Sequence, residues 1–159
     1  MKPKHNIHKY IDLKNARYGD VIFFEPYTLT GKVITWIDGS PYSHVAIYWG
    51  EIAGQPYMFE AQRSKKIGLT RVQDWRNFII LRPINKAWLR KQEEVMQIEG
   101  RGYQTNKLFA IALHKLFGTP LEADEPNSMI CSELVNWVYN YNLGDKGNCT
   151  PASLFKTLK

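Results

Sequence analysis

Residues 43–62 read SHVAIYWGEIAGQPYMFEAQ, and this stretch decides the fold. Two segments within it alternate between larger apolar residues and other residues, which is typical of half-buried β-strands. The apolar sets are Val45, Ile47 and Trp49 in the first segment, and Tyr57, Phe59 and Ala61 in the second. The polar stretch between them is rich in glycine and proline, which favour a turn. The sequence therefore predicts an antiparallel hairpin.

The pairing of this hairpin follows from its apolar pattern. We place Val45 opposite Phe59, because this register puts the apolar side chains of both strands on one face. The same register places His44 opposite Glu60 on the other face. A slip of one residue would break this arrangement, because it moves a strand's side chains to the opposite face.

The rest of the chain continues the pattern with further strands and then helices. Short apolar runs predict strands at 21–24, 67–72 and 78–81. Helical spacing predicts helices at 31–38, 88–99 and 105–117, a core-facing helix that Asn127 or Ser128 caps, and a short final helix that begins at Thr150-Pro151. Antiparallel strands followed by helices indicate an α+β fold, in which a small sheet packs against helices.

Length and composition limit the class of protein. A chain of 159 residues fits one domain, and 44% hydrophobic residues is too apolar for intrinsic disorder. We expect a basic arm over residues 1–18 and a single domain over residues 19–159. The sequence shows neither a signal-peptide pattern nor the run of ~18 apolar residues that a membrane span needs. We therefore expect a cytoplasmic protein with reduced thiols.

The two cysteines differ in their positions. Cys131 stands in the first turn of the predicted core-facing helix, where the positive end of the helix dipole favours a thiolate, the nucleophilic form of cysteine. The alternative is a buried core cysteine, since free cysteines are among the most buried residues. Cys149 lies in a loop before the final helix, and we interpret it as structural because it shows no CxxC spacing.

His44 and Glu60 form a second candidate feature. A carboxylate beside an imidazole fixes the tautomer of the ring and stabilises the imidazolium. An ordinary solvated cross-strand pair is the alternative. Together with a cysteine at a helix start, the pair supplies the nucleophile, the base and the orienting group of a papain-like site. The order along the chain is reversed, because the histidine strand precedes the cysteine helix.

Five segments carry a family pattern: Gly19-Asp20-Val21, residues 42–48 (YSHVAIY), Phe59-Glu60-Ala61, residues 131–135 (CSELV), and Thr150-Pro151 with Leu154. In these segments the chain resembles the circularly permuted NlpC-like cysteine hydrolases, with the bacterial YiiX-like group as the nearest branch. Lecithin:retinol acyltransferase-like enzymes are more distant relatives. The resemblance extends from about Tyr18 to Leu154, and the Ser-His-Val strand followed by the Cys-Ser-Glu-Leu-Val helix is its most specific part.

The resemblance implies a papain-like α+β fold and a cysteine hydrolase or acyltransferase that acts on an amide or ester bond through an acyl-enzyme. Carried over by position, Cys131 would be the nucleophile, His44 the general base and Glu60 the residue that orients His44. Tyr103 would help to bind the oxyanion, and the backbone N–H of Cys131 is a stronger candidate for that role. We expect no cofactor and no metal, and a peptide or lipid-type acyl substrate.

The charge of the chain supports a different class of function. The 21 Lys and Arg residues against 15 Asp and Glu give a net charge of +6. A basic domain that docks on an anionic membrane or on nucleic acid is therefore the alternative function, and binding that is strongly salt-dependent and independent of Cys131 would distinguish it. Since most short basic clusters are simply solvated surface, we expect no nucleic-acid partner.

Overall fold

The computed structural model describes residues 11–62, 66–72, 76–84, 86, 88, 91–103, 116–118, 128–140 and 149–158. The predicted N-terminal arm is thus described from residue 11 onward. There the Ile11 N–H donates to the Ile80 carbonyl at 3.1 Å, and Leu13–Asn15 form a 3₁₀ turn. The described part of the arm therefore lies against the sheet, and the domain boundary at residue 19 stays a prediction.

The predicted α+β fold is confirmed, with one antiparallel five-stranded sheet at its centre. Its strands are β1 (Val21–Phe24), β2 (His44–Ile52), β3 (Gln55–Ala61), β4 (Ile67–Arg71) and β5 (Phe78–Leu81). They lie in the order β4-β3-β2-β1-β5, and every neighbouring pair is antiparallel. The predicted strands at 21–24 and 78–81 have the observed bounds, and the strand predicted at 67–72 ends one residue early.

The predicted register of the β2–β3 hairpin was wrong by two residues. Phe59 pairs with Ile47 rather than with Val45. The strands continue into the polar stretch, so the turn contains only Ala53 and Gly54, both with positive φ, as two-residue hairpin turns require. A bulge between Tyr48 and Gly50 absorbs one further residue. Because side chains alternate with period two, the shift kept His44 and Glu60 on one face.

Both faces of the sheet are buried. One face, which includes Phe23, Val45 and Phe59, packs with Leu134 and Leu154 in the main core cluster. The other face carries a smaller cluster around Phe24, Ala46, Met58 and Ile80, which Ile11 and Leu13 help to cover. Burial on two faces explains why β1 reads as the continuous apolar run VIFF rather than as an alternating strand.

The described helices are α1 (Leu29–Asp38), α2 (Gln92–Gln97), α3 (Cys131–Val138) and α4 (Pro151–Leu158). The Thr28 hydroxyl caps α1 by accepting from the Gly31 N–H at 3.1 Å. The predicted cap of α4 is confirmed, since the Thr150 hydroxyl accepts from the Ser153 N–H at 3.2 Å. Of the helix predicted at 105–117, nearly all lies outside the described residues. None of the helices within the described ranges has the length and hydropathy of a membrane span.

The predicted start of the core-facing helix was wrong. Ser128–Met129 form a short strand, β7, which pairs in parallel with β6 (Gly102–Tyr103). The helix α3 begins only after this pairing, at Cys131. Asn127, the other predicted cap, lies outside the described residues. Strand pairing thus replaces the expected cap and moves Cys131 to the first position of the helix.

The end of α3 is fixed to the turn before β1. The Tyr139 hydroxyl donates to the Gly19 carbonyl, and Tyr139 is fully buried. Gly19 has a φ of 91°, and a Cβ there would lie 2.4 Å from the Trp88 ring. Only glycine meets both conditions, since it tolerates positive φ and has no side chain. The contact joins the cysteine helix to the strand that pairs with the histidine strand.

Candidate active site

His44 is the first residue of β2, and its neighbours hold the ring in place. In the sheet it pairs with Phe24, and the two ring centroids lie 5.9 Å apart. Its Nε2 lies 2.5 Å from Oε2 of Glu60, which is within hydrogen-bonding distance. The imidazole therefore has a fixed orientation, with one nitrogen committed to the carboxylate.

Glu60 is a buried carboxylate, with 1% of its surface exposed. One oxygen faces His44, and the other, Oε1, accepts hydrogen bonds from the Gln62 amide and the Thr70 hydroxyl. A buried charge is stable only when partners replace its lost hydration. Burial raises the pKa of Glu60, but the hydrogen bond and charge of His44 and the bonds from Thr70 and Gln62 together lower it below its usual value. Glu60 is therefore ionised at neutral pH.

The charge state of His44 follows from its two acidic neighbours. Burial on its own lowers the pKa of His44. The charge and hydrogen bond of Cys131, together with those of Glu60, outweigh burial and raise the pKa to about 10. His44 is thus an imidazolium at neutral pH. Its hydrogen bond with Cys131 brings the third predicted site residue into direct contact.

Cys131 is the first residue of α3, and the helix start around it is ordered by a carboxylate. The Glu133 side chain accepts from the Ile130 N–H at 3.1 Å. This bond satisfies a backbone donor of the turn that leads into the helix. Cys131 belongs to the main core cluster and is only 3% exposed. Cys131 is therefore buried like a core cysteine and also lies beside the His44 imidazole, and its role as nucleophile stays a prediction.

Cys149 has a different environment, although it is also a free thiol. Its thiol donates to the Ser132 carbonyl at 3.3 Å, and the Ser132 hydroxyl donates back to the Cys149 carbonyl at 2.8 Å. Burial, the largest cause, raises the pKa of Cys149 to about 12. The residue therefore joins the loop before α4 to the first turn of α3 as a neutral group.

Three neighbours of the site were missed by the sequence analysis: Gln62, Thr70 and Arg76. Gln62 carried a usable signal, because it lies two residues after Glu60, just past the end of β3, where the alternation of the strand favours the same face. Thr70 lies on β4 and Arg76 follows this strand in the chain. No sequence pattern specified how β4 pairs with β3. Tyr103 lies in β6 and pairs with Met129, and Met129 precedes Cys131 by two residues. Its side chain lies outside the described residues, so its predicted role stays a prediction.

A metal ion needs several ligands in one place. In the described ranges, no three His, Cys, Asp or Glu side chains are grouped as such a site requires. His44 already has an acidic partner on Nε2, and Cys131 is its other partner. The site thus brings together the thiol of Cys131, the imidazole of His44 and the carboxylate of Glu60.

A cysteine at a helix start, in contact with an imidazole that a carboxylate holds, is the arrangement of the papain-like cysteine hydrolases. Here the histidine strand comes first in the chain, as in a circularly permuted form of that fold. The model of one family, described as permuted papain-like amidase enzyme, YaeF/YiiX, C92 family, matches residues 15–151. The chain belongs to this family, and its activity is of the amidase, cysteine-hydrolase type.

One solved structure similar to this chain is the crystal structure of the metalloprotein YiiX from Escherichia coli O157:H7. The two chains are 21% identical, and the superposition covers 81% of this chain and 69% of that one with a TM-score of 0.41. No curated protein sequence matches the chain.

Proposed function

We propose that the protein cleaves an amide or ester bond with Cys131 as the nucleophile, His44 as the acid and base, and Glu60 as the residue that orients His44. The observation that carries this proposal is the continuous contact from Glu60 through His44 to Cys131. Two alternatives explain this arrangement less well. A cysteine that only fills the core needs no imidazolium beside it. An ordinary solvated pair of His44 and Glu60 would leave the carboxylate exposed, whereas Glu60 is buried and accepts hydrogen bonds from three side chains.

The first half of the reaction forms an acyl-enzyme. The Cys131 sulfur attacks the substrate carbonyl carbon, and the electron pair of the C=O bond moves to the oxygen. When this intermediate collapses, the bond to the leaving nitrogen or oxygen breaks, and His44 gives its proton to the leaving group. Because Nε2 is held by Glu60, Nδ1 is the ring nitrogen that serves the reacting atoms. The products are a thioester on Cys131 and a neutral His44.

The second half of the reaction restores the site. Neutral His44 takes a proton from water, or from an acceptor alcohol or amine, as the oxygen or nitrogen attacks the thioester. Cleavage of the C–S bond releases the acyl product and the Cys131 thiolate, which pairs again with the imidazolium. The oxyanion of both intermediates binds to the backbone N–H of Cys131, which lies at a helix start where amides lack helical partners.

The acyl donor is proposed to be a peptide or lipid-type substrate. Intact-mass spectrometry after incubation with a mixture of peptide amides, N-acyl amines and lipid esters tests both the mechanism and the acyl group. We expect a mass gain that maps to Cys131, that hydroxylamine removes, and that identifies the acyl group from its size. Cys149→Ala is the matched control, because it removes the other buried thiol and should leave the adduct unchanged.

Two results would contradict this mechanism. One is a covalent adduct that persists in Cys131→Ala. The other is turnover of any of these substrates that Cys131→Ala and His44→Ala leave at the wild-type rate. His44→Ala should also slow formation of the adduct, because it removes both the counter-ion of the thiolate and the proton donor.

A second candidate function, docking on an anionic membrane surface, rests on α1. Leu29 and Trp36 are 80% and 75% exposed, and Val33 between them is also exposed. Their spacing of four and three residues places them on one side of the helix. Lys32 adds a positive charge to α1, which has no acidic residue before Asp38, and the chain as a whole carries +6. Exposed apolar residues beside basic ones are typical of helices that lie on lipid.

Co-sedimentation with vesicles tests this docking. Vesicles with ~30% phosphatidylglycerol should bind the protein at low salt, whereas neutral phosphatidylcholine vesicles should not. The double variant Leu29→Ala/Trp36→Ala should lose most of the binding. Ile84→Ala is the matched control, because Ile84 is also a highly exposed apolar residue, but outside α1. Equal binding of all variants would exclude α1 as the docking surface, and equal binding to both vesicle types would exclude a preference for anionic lipid.

A further inference from the structure

Arg76 is a buried cation beside the candidate site. It is 9% exposed, and its Cζ lies 4.5 Å from the ring centroid of Phe24 and 4.4 Å from that of Tyr27. Its Nη2 also donates to the Glu25 carbonyl at 3.2 Å. Two aromatic faces and a carbonyl thus hold the guanidinium, and this arrangement favours a planar cation over a flexible ammonium.

The Phe24 ring connects Arg76 to the site. One ring contact joins Phe24 to the guanidinium, and another joins it to the His44 ring at a centroid distance of 5.9 Å. The charge of Arg76 also acts on the site directly. Burial lowers the pKa of Arg76, while electrostatic interactions with Tyr27, Glu60 and Cys131 each oppose that effect. Arg76 is therefore near enough to Glu60 and Cys131 to interact with them electrostatically.

The charges of the ionised site do not balance without Arg76. The Cys131 thiolate and the Glu60 carboxylate carry one negative charge each, and the His44 imidazolium carries one positive charge. The proposed triad therefore has a net charge of −1 in a buried place, where uncompensated charge is costly. Adding the guanidinium brings the sum to zero.

We propose that Arg76 is a positioning residue that supplies the compensating charge for the site, acting across the Phe24 ring on the Cys131–His44–Glu60 contacts. This inference rests on the proposed function. Arg76 touches no reacting atom in this role. It stabilises the ionised state of the site, in which the thiolate is ready to attack. Loss of its charge therefore makes the thiolate form less favourable while leaving the nucleophile in place.

Among the described residues, several charged or titratable groups near Arg76 can affect a measurement of charge at the site. They include Glu25 after β1, Tyr27 before α1, Glu60 on β3 and Cys131 on α3, and His44 on β2 lies beyond the Phe24 ring. Glu25 is exposed and its carboxylate accepts from Asn77, so solvent screens its charge. Of these groups, the ones that Arg76 affects under low screening include those of the site.

The test is the pH profile of Cys131 alkylation by iodoacetamide in the intact protein, followed by peptide mass spectrometry. In Arg76→Met the midpoint of the profile should move upward by about one pH unit, which is about tenfold less thiolate on the acid side of the midpoint. Arg76→Lys keeps the charge and should stay near the wild-type profile. Arg71→Met removes the same charge from an exposed site on β4 and should not move the midpoint.

The outcomes separate this inference from the proposed function. If the wild-type Cys131 profile is that of an ordinary thiol, the activated nucleophile fails, and the role of Arg76 fails with it. If the wild-type profile is shifted but Arg76→Met coincides with Arg71→Met, the role of Arg76 alone is wrong. If circular dichroism shows that Arg76→Met does not fold, Arg76→Gln replaces it. This variant also removes the charge but keeps a donor for the Glu25 carbonyl, and it should shift the midpoint of Cys131 alkylation in the same direction.

Discussion

The two cysteines occupy buried positions of equal exposure, yet their nearest partners are of different kinds. Cys131 and Cys149 are each 3% exposed and belong to the same core cluster. Cys131 contacts the His44 imidazolium, whereas the Cys149 thiol donates to the Ser132 carbonyl. A cation stabilises a thiolate, and a carbonyl stabilises a thiol. Burial therefore does not distinguish the two cysteines, whereas the charge of the nearest partner does.

The comparison extends to what each cysteine is connected to. From Cys131 the contacts continue through His44 to Glu60, and from Glu60 to Gln62 and Thr70. The hydrogen bonds of Cys149 lead to Ser132, which lies in the first turn of α3. The first set joins strands and a helix that are distant in the chain, and the second set fixes one loop. Each prediction below removes one part of this difference.

The largest expected effect is on catalysis. Cys131→Ala should lower kcat/KM for an amide substrate by on the order of 10³-fold or more, because it removes the sulfur on which the proposed acyl-enzyme forms. Cys149→Ala should change kcat/KM by less than about threefold. Steady-state kinetics of both variants checks this, with thermal melting to confirm that each is folded. Equal losses in the two variants would remove the distinction between the cysteines.

The elements of the fold were predictable where an apolar pattern in the sequence was compatible with one secondary structure. The run VIFF and the run at 78–81 became strands with the expected bounds, because an apolar run that is bounded by turn residues has few alternatives. The hairpin register was wrong because the exposed tip of β2 and β3 carries no apolar pattern, so the strands looked shorter than they are. The start of α3 was wrong because Ser128, a good helix cap, pairs with Gly102 instead.

The site was partly predictable for a related reason. Side chains alternate along a strand with a period of two, so His44 and Glu60 lie on one face of the sheet in either register. The error of two residues therefore did not change the face that they share. The position of Cys131 at a helix start followed from the apolar stripe of α3. Thr70 and Arg76 could not be predicted, because their places depend on the β3–β4 pairing and on the chain after β4. Long-range contacts of that kind leave no local signal.

The next largest effect concerns the stability of the His44–Glu60 pair as a function of pH. Glu60→Gln should lower the free energy of unfolding by about 2 kcal/mol, the usual contribution of a hydrogen bond to a charged group. The contribution of Glu60, whose pKa is lowered, is present above about pH 4.5 and is lost as the pH falls. That of His44, whose pKa is raised, is full below about pH 6.5 and is lost as the pH rises to about 10.

Urea unfolding of the wild type and of Glu60→Gln across this range measures the difference. We expect it to be greatest between about pH 4.5 and 6.5 and to decrease on both sides. Glu94→Gln is the control, because Glu94 is exposed in its ion pair with Lys91 at 3.4 Å and should give less than ~0.5 kcal/mol at any pH. A difference that does not vary with pH would mean that the pair is not ionised.

The smallest effect is expected at Thr70, three contacts away from Cys131. Thr70→Val keeps the shape of the side chain but leaves Oε1 of Glu60 with one donor fewer, so the carboxylate is less well held and His44 is less well oriented. We expect kcat/KM to fall several-fold and the free energy of unfolding to fall by about 1 kcal/mol. Thr157→Val, which removes an exposed hydroxyl bond to the Ser153 carbonyl, should alter stability slightly and kcat/KM not at all. If Thr70→Val lowers stability but leaves kcat/KM at the wild-type value, Thr70 supports the sheet only, and the chain of contacts that distinguishes Cys131 from Cys149 ends at Glu60.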